Sequence, residues 1–108
     1  MHKNKRSAYL NSLWRRYKDE FRLYMERQVK DGKLSEQRFR DYWNGLNRFF
    51  KNHKVNEAID FLSIDHIPDG QVKGLKKFFK FLMDFKYKDI DMQEIMAMNR
   101  QVKVKSSP

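Results

Sequence analysis

At 108 residues the chain has the length of one domain, and its 40% hydrophobic and 15% aromatic content suffices for a modest core despite 35% charge. Lysine and arginine outnumber aspartate and glutamate by 24 to 14, a net charge of +10 with a pI near 9.9, which fits nucleic acid or an acidic surface as partner. The absence of cysteine excludes a disulfide framework, a thiolate nucleophile and a cysteine zinc site.

Residues 1–6, MHKNKR, read as a basic frayed end. From Ser7 to Lys30 the pattern predicts a helix, with Leu10, Leu13, Trp14, Tyr17, Phe21, Tyr24 and Met25 on one stripe. Asp31-Gly32 ends it, because glycine accepts the left-handed conformation that stops helices. Arg15, Asp19, Arg22 and Glu26 alternate in sign on the opposite face, as a solvated face with weak pairs does.

Ser35 opens a second helix as its N-cap, with Leu34 and Phe39 placed to staple across it, and the helix fades near His53. Its apolar face is Phe39, Tyr42, Trp43, Leu46, Phe49 and Phe50. Its polar face carries Arg40, Asn44, Asn47, Arg48 and Lys51. Arginine and asparagine can make bidentate hydrogen bonds to guanine and adenine edges, although a polar stripe also serves as a plain solvated face. Val55 to Ile64 is expected to form a short third helix capped by Asn56, with Ala58, Ile59, Phe61 and Leu62 inward.

Ile67-Pro68-Asp69-Gly70 is the clearest turn, and Asp69 is placed to cap the fourth helix, Gln71 to Lys88. There Val72, Leu75, Phe78, Phe79, Leu82 and Met83 form an apolar face, while Lys73, Lys76, Lys77 and Lys80 recur on roughly the opposite side. Gly74 costs this helix about 1 kcal/mol relative to alanine; it marks either close packing or a tolerated loss. Asp91 and Glu94 signal a short fifth helix, stapled by Ile90 and Ile95. From Arg100 the tail RQVKVKSSP reads as a basic linker or arm, with Lys103 and Lys105 as further cations.

The charge is polarised. Residues 55–70 hold four acidic and no basic groups, whereas residues 71–88 hold six basic and one acidic. A phosphate backbone is expected to keep away from the former and meet the latter. Catalysis has little support: His2, His53 and His66 lack ligand-like spacing, the four glycines form no phosphate-binding loop, and Met92, Met96 and Met98 fit core gaps better than a cofactor. No metal, cofactor or small-molecule substrate is expected. No apolar run approaches bilayer length and no signal-peptide core follows the basic start, so the expectation is a cytoplasmic protein without a membrane partner.

The text LSEQRFRDYWNGLNRFF at 34–50, VKGLKKFFKFLMD at 72–84 and, more loosely, the ending RQVKVKSSP from Arg100 resemble the core-binding domain of tyrosine recombinases, the phage integrase family, and more narrowly its archaeal members. The likeness covers about two-thirds of the chain and rests mostly on hydrophobic spacing. It implies an all-α, four- to five-helix SAM-like orthogonal bundle over residues 7–99. It further implies one half of a clamp around double-stranded DNA, with further protomers assembling on that DNA through the parent protein. The catalytic residues of such enzymes lie in a downstream domain, so none of Tyr9, Tyr17, Tyr24, Tyr42 or Tyr87 is expected to be the nucleophile. The long first helix is less typical of the family and leaves the orientation on DNA open. On this reading Arg40, Asn44, Asn47, Arg48, Lys51, Lys73, Lys76, Lys77 and Lys80 face one duplex as two adjacent stripes. The competing expectations are a helical protein-interaction module, using the near-heptad stripe of the first helix, and a stand-alone basic nucleic-acid-binding regulator.

Overall fold

The computed structural model describes residues 10–106, without the side chains of Ala58 and of residues 103–106. It is an all-α bundle of five helices: α1 (Leu10–Lys30), α2 (Glu36–Asn52), α3 (Ala58–Leu62), α4 (Asp69–Phe85) and α5 (Met92–Ser106). The apolar faces of α1, α2 and α4 meet in one core, with α5 closing it behind α4 and α3 packed on α5.

Local chemistry sets the first boundaries. Gly32 takes a positive φ of 76°, and the amide of Lys33 turns back to donate to the Gln28 carbonyl at 2.8 Å, which ends α1. Ser35 caps α2, its hydroxyl accepting from the Arg38 amide at 3.1 Å. The start of α1 is anchored by a residue whose role no periodicity reveals. The Asn11 side chain accepts from the Val55 amide and donates to the His53 carbonyl, while its own amide donates to the Val55 carbonyl.

The aromatic residues supply most of the bulk. Trp14 stacks on Phe50, with centroids 5.0 Å apart and planes 12° from parallel, and meets Trp43 at 5.3 Å and Phe78 at 5.4 Å. Phe21 bridges to Phe78 and Phe81 of α4. Leu10, Leu13, Trp14, Tyr17, Phe21 and Met25 are thus buried in this chain's own core. The α1 stripe expected by the interaction-module reading is not available for an external helix.

Four expectations are corrected. In α3 Phe61 turns inward, whereas Ile59 is 61% and Leu62 37% exposed, the core position being taken by Phe61 and Ile67; the side chain of Ala58 lies outside the described residues. The cap of α3 is Glu57 rather than Asn56, in a capping box with Asp60. Asp69 lies inside the first turn of α4 and makes no capping bond, pairing with Lys73 instead. The tail from Arg100 is not an extended arm: α5 continues through it to Ser106, and Val102 is fully buried.

Candidate nucleic-acid interface

Two close backbone approaches position the basic residues. A Cβ on Gly74 would stand 2.8 Å from the Tyr42 carbonyl oxygen, and one on Gly45 would stand 2.5 Å from that of Gly70. Both glycines therefore mark helix contact, and they let α2 and α4 pack far closer than side chains would permit. Along the outer edge of this contact lies a cavity of 590 Å³ lined by Lys73, Lys76, Lys77, Lys80, Arg38 and Tyr42, with Met83, Asp84 and Asn99 completing the wall. A smaller hollow of 380 Å³ beside it shares Arg38, Tyr42 and Lys73.

All four α4 lysines of the sequence analysis are thus gathered in one place. Lys73 pairs with Asp69 at 3.5 Å and Lys80 with Asp84 at 3.1 Å, both exposed i,i+4 pairs. Such pairs are worth about 0.3–0.5 kcal/mol each, little enough for a phosphate to displace them. Lys77 is half-buried, its ammonium 5.5 Å from the centroid of the Tyr24 ring of α1. Burial, and secondarily the charge of Lys80, hold its pKa below the ordinary lysine value of 10.5. The cost of keeping that charge unpaired is relieved when an anion arrives.

The α2 stripe is placed differently. Arg40, Asn44, Asn47, Arg48 and Lys51 are all exposed, but at 3.6 residues per turn Arg40, Asn44, Asn47 and Lys51 stand about 140–180° from Tyr42, the α2 residue beside the lysines. None of the five lines the lysine cavity, and Arg40 pairs with Glu36 of its own helix at 3.7 Å. The expected pair of adjacent cationic stripes is therefore not formed. Tyr42, Gly45 and Leu46 lie against α4, and this turns the polar row outward on another side.

The α2 cation that does join the lysines is Arg38, which was not among the expected site residues and lies off the polar row. Its signal was its position one turn before Tyr42, on the α4 side of the helix. Lys103 and Lys105 continue α5 in backbone, and their side chains lie outside the described residues.

Comparison with protein-family models, curated proteins and solved structures finds no match. His53 is the C-cap of α2, with its ring 4.9 Å from that of Phe49, a structural position. Among the described residues no group of His, Asp and Glu could hold a metal ion, and no helix is long and apolar enough to cross a membrane. The arrangement presents five cations at one concave edge, a surface suited to phosphate oxygens.

Proposed function

We propose that this chain binds double-stranded DNA through the lysine edge of α4 together with Arg38, as the core-binding domain of a tyrosine recombinase and one half of its clamp. The observation that carries the DNA-binding part is the convergence of Lys73, Lys76, Lys77, Lys80 and Arg38 on one cavity. From Lys73 to Lys80 the row runs about 10 Å along the helix, and a duplex carries one negative charge per about 1.7 Å of its axis. Several phosphates therefore come within reach of the row. The contacts are sequence-independent and fix position rather than read bases. The exposed Arg40, Asn44, Asn47, Arg48 and Lys51 form a second, separate surface, free to meet DNA only where the duplex bends or a partner presents it.

The recombinase role adds the resemblance of the α2 and α4 text to this cationic edge. It assigns cleavage and rejoining to a separate catalytic domain, and a location wherever the cell keeps its DNA.

Fluorescence anisotropy with a labelled duplex at low salt tests the binding. The triple variant Lys73→Gln, Lys76→Gln, Lys80→Gln should bind far more weakly than the wild type with its helix content unchanged. No duplex binding by the wild type, or unchanged binding by the variant, would overturn the proposal. The coding sequence beyond Pro108 tests the clamp: a following domain with a catalytic tyrosine supports it, and a stop codon assigns the stand-alone regulator instead.

A further inference from the structure

Beside the lysine cavity, where α4 meets α1, lies a groove of 470 Å³ floored by Leu23, Tyr24, Phe81 and Phe85 and flanked by Arg27 and Lys86. Leu23 is 59% and Phe85 56% exposed. Three of the floor residues are aromatic and touch one another: Tyr24 lies 5.3 Å from Phe81 and 5.4 Å from Phe85, and Phe81 lies 5.6 Å from Phe85. Phe85 and Leu23 are thus open to water, beside a half-buried Tyr24 and over a buried Phe81, and an exposed ring backed by two others in this way is a surface on which a flat ligand can settle.

The groove adjoins the lysine cavity across Lys77. Lys77 lines that cavity, and its ammonium stands over the face of Tyr24, whose ring is part of the groove floor. One side chain thus joins a phosphate-binding edge to an aromatic platform. The lone carboxylate beside the groove, Glu20, is engaged by Lys86, whose ammonium also lies 5.0 Å from the Tyr17 ring. What remains open is the exposed ring of Phe85 beside the half-buried Tyr24, with Arg27 and Lys77 as the nearby cations. That pairing recognises an unstacked nucleobase with its phosphate, because every base has a π-face and every nucleotide a charge. An amphipathic helix, about 10 Å across with its side chains, would need a longer apolar trough than these four residues provide.

We propose that this groove takes an unpaired base of the nucleic acid held at the α4 lysines, so that the chain prefers DNA with a single-stranded gap over a perfect duplex. The proposal rests on the reading of α4 as a DNA-binding edge and adds a second contact class to it. Stacking one base is expected to tighten binding about 5- to 10-fold.

The test compares a perfect duplex with the same duplex carrying a short gap, in which a fluorescent adenine analogue occupies the unpaired stretch. The wild type should bind the gapped DNA about 5- to 10-fold more tightly and quench the analogue by stacking. Phe85→Ser, at an exposed position, should abolish both effects while leaving affinity for the perfect duplex within about 2-fold, and Arg27→Gln should weaken the preference in part. Equal affinities without quenching, or a Phe85→Ser variant that loses both substrates alike, would overturn the groove but not the lysine edge. Gapped binding that needs Phe85, with no perfect-duplex binding, would uphold the groove and overturn duplex recognition. Concentration-dependent sedimentation abolished by Phe85→Ser would assign the groove to a second copy of the chain and sink the base-binding proposal.

Discussion

The backbone of Gly45 lies so close to the Gly70 carbonyl that a Cβ on Gly45 would stand 2.5 Å from its oxygen and 3.1 Å from its carbon. The obstructing atoms are backbone, which cannot swing aside as a side-chain end can. This contact, with that between Gly74 and Tyr42, sets where Arg38 meets the α4 lysines.

Gly45→Ala should therefore lower stability by about 1–3 kcal/mol through overpacking, even though alanine gains about 1 kcal/mol of helix propensity. Gly70→Ala should do the reverse. Its Cβ would meet nothing within 4 Å, so a gain of about 0.5 kcal/mol is expected from reduced backbone freedom. Urea denaturation of the two variants checks the opposite signs, and a like effect at both positions would refute the close approach.

The lysine edge and the α2 stripe should differ in their salt response. Neutralising Lys73, Lys76 and Lys80 to glutamine removes clustered charge and should reduce the slope of log affinity against log salt by about 2–3, near 0.9 per lost phosphate contact. The matching triple change at Arg40, Arg48 and Lys51 removes cations from a separate surface and should alter the slope by less than about 1. Anisotropy titrations across a salt series measure both. Equal losses would show that DNA wraps both surfaces.

Elements set by local chemistry were legible in the sequence. The Ser35 cap, the Gly32 stop and the inward stripes of α1, α2 and α4 each depend on residues within a few positions of one another. The face of α3 was not, because Phe61 rather than Ile59 turns inward only once Ile67 and α5 are in place. The extent of α5 was written in the chain, since Ile95, Met98 and Val102 recur at i, i+3 and i+7, yet the flanking lysines made the tail resemble an arm. The lysine row was likewise legible on α4 alone. Its companion depended on how α2 crosses it, and two glycines without side-chain pattern decide that crossing.

Lys77 should give both stability and binding an alkaline dependence. Burial, then Lys80, hold its folded pKa below 10.5. Below the folded pKa both folded and unfolded chains carry the proton, and the charge opposes folding in full. As pH rises through the folded pKa the folded chain releases it, so this group's contribution to stability climbs until 10.5 is passed. The groups around its cavity are Arg38 and Tyr42 of α2, Asn99 of α5, and Lys73, Lys76, Lys80 and Asp84 of α4, with Tyr24 of α1 beneath the ammonium. Bound phosphate favours the charged form, so duplex affinity should fall over the same pH window. Lys77→Gln should flatten the stability rise, and Lys77→Arg should keep affinity constant through it. A pH series of urea midpoints and binding constants on the three proteins reads both effects, and identical profiles would remove Lys77 from the interface.

The C-terminal helix offers a separate test of the core. Val102 is fully buried, whereas Arg100, two residues earlier on the same helix, is exposed. An aspartate at the first position would sit unpaired among apolar side chains, so Val102→Asp should lower stability by about 3 kcal/mol or more. At the second position it remains in water, and Arg100→Asp should change stability by no more than about 0.5 kcal/mol. Chemical denaturation of the two variants distinguishes a packed helix from an arm: small and similar effects at both sites would mean that the segment after Arg100 leaves the bundle, and that α4 is covered by a shorter α5.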